Sequence, residues 1–350
     1  MELQLNSLCP DPNGPGACLA IARYGRLEHL EVRGLASLRT ATPIGPETNF
    51  RLASISKQFT AGAILLLRER GLLRLEDPLR HFFPGFPAWG ADTITVRHLL
   101  QHTSGILDYE DHLPERMESP LLDDDVLEIT QSQSGTYFPP GTEFRYSNTG
   151  YALLACIVER VTGLPFPVAL EELIFHPLGM TNTVARHDRL RPEVPNRAWG
   201  YRKLDDGTCI EADQSPTSSV LGDGGIYCSV NDYLLWDRAL WEGTLLPPDV
   251  VEEMMTPGRL EMSCSVAPGS RRIWFPDDMN EGSHSREGDA CVMAGGRPTA
   301  DGECTIPYGL GWRLETNDLA LTVAYHPGST TGFMHCVRRV PARGLTVLVL

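Results

Sequence analysis

The spacing of apolar and polar positions changes twice along the chain. Near the start, residues 17–23 and 27–33 are apolar-rich runs on either side of Tyr24-Gly25-Arg26, which predicts a β-hairpin. Residues 56–70 are rich in Ala, Leu, Gln and Arg and stop at Gly71, so a helix is expected, with Ser54 at or just before its first turn. Further helices are expected at 95–102, closed by Ser104-Gly105, and at 151–161, apolar with a Glu-Arg end before Gly163. Two more follow, one at 167–175 and one at 229–241, the latter opened by a capping box from Ser229 to Asp232. Residues 77–91 and 107–145 carry prolines, aromatics and turn residues and read as loops with short helical pieces. In the last part the pattern becomes that of strands, at 308–314, 319–324, 333–340 and 345–350. Just before them, 258–305 is polar and rich in Gly, Pro, Ser and charge, which marks a long insertion.

The first hairpin and the final strands can share one antiparallel sheet, with the helical middle inserted between them. The expected fold is α+β: a discontinuous sheet lobe from 1–80 and 200–350, flanked by helices, and a mostly helical lobe from 81–199. A length of 350 residues suits one large or two intimate domains. A net charge of −15 argues against nucleic acid and anionic membranes as partners, because phosphates are held by clustered Lys and Arg. A small molecule or short peptide is the expected substrate. No apolar run approaches the ~20 residues of a membrane span. The start, M-E-L-Q-L-N-S-L, lacks the basic and apolar regions of a secretory signal. The 9 cysteines are scattered and form no C-x-x-C, so neither a disulfide framework nor a zinc site is expected. A soluble, cytoplasmic protein in a reducing compartment follows.

One residue type is used sparingly. Of 30 Lys and Arg, only Lys57 and Lys203 are lysine. Lys57 closes S-I-S-K, three residues after Ser54, so both side chains lie on one face of a helix start. A serine hydroxyl is a poor nucleophile until a base takes its proton. Lysine can be that base and arginine cannot, because arginine stays protonated in proteins. The helix N-terminus adds N–H groups and partial positive charge near a developing oxyanion. The same four residues also read as a serine cap followed by a surface lysine.

Two further stretches can join them. Tyr146-Ser147-Asn148 offers a tyrosine as a second candidate base, although Asn-Thr-Gly alone is ordinary turn chemistry. His326-Pro327-Gly328-Ser329 follows an apolar strand, and a backbone N–H there can complete an oxyanion hole with that of Ser54; alone it reads as a strand-to-strand turn. His98 and His102 have the spacing of a zinc helix but lack its glutamate, so packing and capping suit them better. Ser104 has no lysine neighbour and reads as a helix terminus. The 222–225 stretch, G-D-G-G, lacks the third glycine of a dinucleotide fingerprint and reads as a close backbone approach. The absence of G-x-S-x-G excludes the ordinary hydrolase elbow.

In this order and spacing, S-x-x-K, Y-x-N and H-x-G resemble the serine hydrolases of the β-lactamase and penicillin-binding-protein superfamily. The nearest likeness is the class C β-lactamase-like branch, which includes family VIII esterases and D-specific peptidases. F-R-L-A-S-I-S-K-Q-F-T-A, I-T-V-R-H-L-L-Q-H-T-S-G-I, H-P-L-G-M-T-N-T, G-D-G-G-I-Y-C-S-V-N-D and Y-G-L-G-W are similar to it too, so the likeness runs from about 15 to 350 outside the insertion. It implies the β-lactamase/transpeptidase-like fold, a site between the lobes, an acyl-enzyme, and no metal or cofactor. It makes Ser54 the acylated nucleophile and Lys57 its proton acceptor. Tyr146 becomes the residue that activates serine and later water, and Asn148 orients substrate and Lys57. His326 stands where β-lactamases carry the lysine of K-T-G; Gly328 and Ser329 fall in the oxyanion segment, Ser329 donating the second N–H. Histidine there weakens a carboxylate anchor, which favours small esters, amides or acyl transfer. A biosynthetic acyltransferase on the same acyl-enzyme and a catalytically inactive relative are the rival expectations. Family members usually continue into a C-terminal helix, whereas G-L-T-V-L-V-L is the last stretch here, so a truncated end and an exposed sheet face are expected.

Overall fold

The computed structural model describes Leu5, Cys9 and residues 11–113, 119–187, 190–260, 297–298 and 304–350. Most of the insertion expected at 258–305 lies outside them. Six strands form the main sheet: β1 (Ala17–Arg23), β2 (Arg26–Arg33), β3 (Arg313–Thr316), β4 (Thr322–Thr330), β5 (Phe333–Val340) and β6 (Leu345–Val349). Their order is β3-β4-β5-β6-β1-β2, and every neighbour is antiparallel. Both ends of the chain therefore build one sheet, joined where β1 pairs with β6. Tyr24 and Gly25 make the tight turn between β1 and β2 with φ of +49° and +70°, the left-handed pair that suits a two-residue hairpin.

The helices that matter for the site are α1 (Lys57–Glu69), α2 (Val96–Leu100), α3 (Asp123–Gln131), α4 (Asn148–Thr162) and α5 (Val230–Glu242). Every residue of α1 from Lys57 to Leu67 is buried, so this helix has no solvent face over three turns. Phe59 packs its ring on Trp236 of α5 at 4.9 Å, and Gly62 leaves room for the same indole, since a Cβ there would lie 2.8 Å from it. On its other side α5 lies across the first hairpin, where a Cβ at Gly25 would sit 2.3 Å from the Cα of Arg238. Asp237 of α5 accepts the hydroxyl of Thr346 at 3.0 Å and pairs with Arg339 at 3.2 Å, both charges 1% exposed. The ion pair fastens α5 to β5, and the Thr346 hydrogen bond fastens it to β6.

A small sheet brings the chain to Ser54. Phe50–Arg51 and Val184–Ala185 both pair with Ile226–Cys228, and Leu52 donates its N–H to Ile226 at 2.8 Å. The chain then makes a 3-10 turn, Ala53–Ser56, before α1 begins.

Some boundaries differ from the sequence expectation. Asn148 is the first residue of α4, which Ser147 caps by accepting the N–H of Gly150, so the helix begins three residues earlier than expected. Only half of the expected capping box exists at α5. Ser229 accepts the N–H of Asp232, but the Asp232 carboxylate receives Asn182 and Thr183 instead of reaching back to the cap. The strand expected at 319–324 is β4, which continues to Thr330. Residues 326–329 thus lie in a strand and not in a turn after it. Pairing with β5 carries β4 through Pro327-Gly328, and β3 pairs only with Thr322 to Tyr325. A proline is tolerated where a strand has one neighbour. Cys304 is disulfide-bonded, which the scattered spacing gave no sign of, while Cys9, Cys18, Cys156, Cys209, Cys228 and Cys336 are free. Among the described residues no single helix is long and apolar enough to cross a membrane.

Candidate active site

From residue 48 to 67, Ser54 alone is not buried. Ala53 before it has φ +50°, a left-handed conformation that costs a non-glycine residue about 1 kcal/mol. Lys57 follows one turn later and is 0% exposed. Its Nζ contacts three oxygens: Ser54 Oγ at 3.2 Å, Asn148 Oδ1 at 2.9 Å and the carbonyl of Asp223 at 2.8 Å. The last two can only accept. A neutral amine has two hydrogens and one lone pair. With both hydrogens committed to Asn148 and Asp223, the lone pair is left for the hydroxyl hydrogen of Ser54. The aromatic faces of Tyr146 and Tyr151 lie 5.0 and 5.5 Å from the same nitrogen.

Asp223 sits in the one-turn helix Leu221–Gly224, which is held from three sides. Asp123 of α3 accepts the N–H groups of Leu221 and Gly222 at 2.9 and 3.0 Å. Thr60 of α1 donates to the carbonyl of Gly222 at 2.7 Å. Gly222 lies so close to α4 that a Cβ would meet the carbonyl of Tyr151 at 2.2 Å, the close approach that G-D-G-G was expected to permit. Burial drives the Asp223 carboxyl up to about 6, against the opposing charge of Lys57. Burial likewise holds the Asp123 carboxyl well above its usual range.

Tyr146 ends the loop before α4. Its ring lies 4.3 Å from that of His102, and Arg313 of β3 sits 4.9 Å from the ring centre. Its hydroxyl is buried and has no protein hydrogen-bond partner among the described residues. His326 is 0% exposed, and its ring lies 6.1 Å from Tyr146. Its Nδ1 donates to the carbonyl of Pro327 at 2.7 Å, so Nε2 accepts from the hydroxyl of Tyr308 at 3.0 Å. Burial, and then the charge of Lys57, push this imidazole far below its usual pKa. A neutral ring with both nitrogens engaged inside the protein supports the wall of the site and does not offer itself to a substrate.

The strand reaches the serine through Gly328. A Cβ there would meet the carbonyl of Leu52 at 2.2 Å, so only glycine lets β4 lie against the backbone leading into Ser54. Ser329 is exposed and lines an open cavity of about 650 Å³ with Tyr201, Lys203, Phe333 and Met334. Lys57 is thus in direct contact with both Ser54 and Asn148, Tyr146 lies over Lys57, and His326, Gly328 and Ser329 all lie on the adjoining strand. Three contributors escaped the sequence reading. The Asp223 carbonyl and the His102 ring lie in G-D-G-G and H-T-S-G, and Tyr308 opens Y-G-L-G-W, so each stretch stands out in the sequence although its contact does not.

The profile of the beta-lactamase family matches residues 8–273. The chain belongs to that family. Within it, the chain is 29% identical over 312 residues to penicillin-binding protein 4* of Bacillus subtilis, covering 86% of this chain and 60% of that protein. It is 34% identical over 179 residues to esterase EstB of Burkholderia gladioli, covering 47% and 45%. It spans less than two thirds of the length of these curated relatives. The solved D-amino acid amidase of Ochrobactrum anthropi superposes with a TM-score of 0.73 at 24% identity over 99% of this chain and 88% of that one, which shows the shared fold.

Proposed function

We propose that this member of the family is a serine hydrolase that works through an acyl-enzyme on Ser54. The observation that carries the reading is the geometry of Lys57: its ammonium donates to Ser54, Asn148 and Asp223, and once it has lost a proton its lone pair has only the Ser54 hydroxyl left to serve. Lys57 takes the hydroxyl proton as Oγ attacks the substrate carbonyl carbon. Negative charge then develops on the carbonyl oxygen, for which the backbone N–H groups of Ser54 and Ser329 are the assigned donors. The tetrahedral intermediate expels the alcohol or amine, which leaves with the proton of the Tyr146 hydroxyl. The Tyr146 phenolate then takes a proton from water as that water adds to the acyl carbon. The second intermediate collapses with Ser54 Oγ leaving on the proton that Lys57 holds, so that Ser54, Lys57 and Tyr146 all return to their starting states. Asn148 holds Lys57 and orients the substrate. No step calls for a metal or cofactor.

The state of His326 bears on the substrate class. A neutral, fully engaged His326 gives no anchor for a carboxylate, so small esters and amides are favoured over β-lactams and peptide C-termini. With a net charge of −15, a small molecule or short peptide fits better than a nucleic acid or an anionic membrane. The test is turnover of a short-chain chromogenic ester together with fluorophosphonate labelling. Ser54→Ala is expected to abolish both, and unchanged turnover would reject the reading. New ester or amide products, formed when an alcohol or amine is present, distinguish acyl transfer from hydrolysis on the same acyl-enzyme.

A further inference from the structure

The chemistry just described gives His102 no part, yet this residue grips the loop that ends in Tyr146. It is 1% exposed and has φ +59°, the left-handed region. That backbone lets it reach three consecutive residues. Its carbonyl accepts the N–H of Arg145 at 3.0 Å. Its ring lies on Tyr146 with centroids 4.3 Å apart and planes at 35°. Its Nδ1 accepts the N–H of Ser147 at 3.1 Å. The residues after it continue the grip: the carbonyls of Thr103 and Gly105 accept the N–H groups of Gly141 and Tyr137 at 2.8 and 2.7 Å. Behind the ring stand Tyr308 at 4.4 Å and Tyr151 at 5.1 Å, so it cannot recoil. Burial, and then the charge of Lys57, keep the imidazole neutral, as an acceptor at Nδ1 requires.

We propose that His102 is the positioning residue for Tyr146, fixing the phenol oxygen relative to Ser54 and Lys57 without touching the substrate. The inference rests on the reading of Tyr146 as a proton-transfer group. Stacking alone would be met by any flat ring. The simultaneous hold on 145, 146 and 147 requires an acceptor at Nδ1 and a backbone that tolerates positive φ. Asparagine is the substitute that keeps the acceptor near Nδ1 and accepts the left-handed conformation. Phenylalanine keeps the ring and loses the acceptor.

The experiment is a double-mutant cycle on ester turnover with His102→Phe, His102→Asn and Tyr146→Phe. His102→Phe is expected to lower kcat about 100-fold with KM little changed, the size of effect that a small misplacement of a reacting group produces. His102→Asn is expected to recover part of that loss. In the Tyr146→Phe background neither change lowers kcat further, because a positioning residue acts only through the group it positions. Equal losses with and without the Tyr146 hydroxyl, or a change confined to KM, would overturn the proposal. Wild-type turnover in Tyr146→Phe alone would overturn the reading of Tyr146 and this proposal with it, and that arm contains no change at His102. Should His102→Phe fail to fold, as judged by its circular dichroism and thermal transition, His102→Asn carries the cycle: kcat lowered beside Tyr146 and unchanged beside Phe supports the proposal, and an equal loss in both refutes it.

Discussion

Two of the contacts of Lys57 are made to groups that can never donate, and this decides what its nitrogen can do when neutral. The cost of that arrangement falls on Asp223. Its carbonyl serves Lys57 while its own carboxyl is 8% exposed and raised to about 6 by burial. A carboxyl whose folded pKa lies above its unfolded value of about 3.9 destabilises the fold once ionised. The penalty is absent below about pH 4, grows between 4 and 6, and is complete above 6. Asp223→Asn leaves the backbone carbonyl in place and removes the charge. Its unfolding free energy should match the wild type at pH 4 and exceed it by about 2–3 kcal/mol at pH 7. Denaturant melts at the two pH values check this, and equal stability at both would show that the carboxyl is better solvated than its position indicates.

Among the elements, α5 is held by a buried ion pair. Asp237 and Arg339 are both 1% exposed, and removing one leaves the other buried and uncompensated. Asp237→Ala should therefore cost about 3–5 kcal/mol, read as a fall in the denaturation midpoint. A loss below about 1 kcal/mol would mean that the pair is worth no more than an exposed one. The parts of the fold legible in the sequence are those set locally. The β1–β2 hairpin follows from Tyr24-Gly25 between apolar runs, and α1 from its composition and Gly71. Ser54 and Lys57 are one turn apart in sequence, so their contact was legible too. The extension of β4 through Pro327-Gly328 was not, because Gly and Pro punctuate a sequence and only the pairing with the next strand, β5, overrides them. The Asp223 carbonyl lies 166 residues from Lys57 and is a backbone group, so no side-chain pattern announces it. The hold of His102 on Ser147 spans 45 residues, and its positive φ has no signature in a histidine.

Across the whole molecule, the two chain ends close one sheet, and the helices between them deliver the remaining site groups to its edge. The His335 ring lies on the strand beside Gly328, packed between Phe50 and Phe333 at 5.8 Å each, and burial lowers its pKa to about 4. A histidine that is harder to protonate in the fold than in the unfolded chain, where its pKa is about 6.5, weakens the fold as pH falls from about 6.5 to about 4. His335→Leu should remove that contribution. Relative to the wild type it should gain about 3 kcal/mol between pH 7 and pH 4. A constant difference would show that His335 titrates alike in both states.

The most direct test of Lys57 as the base is Lys57→Arg, followed by ester turnover and fluorophosphonate labelling of Ser54. Arginine keeps the positive charge and cannot accept a proton. The expected result is a folded protein whose kcat and labelling rate fall by about 10²–10⁴-fold, the usual worth of a positioned base. Turnover close to that of the wild type would contradict the base role, because a permanent charge would then suffice at position 57.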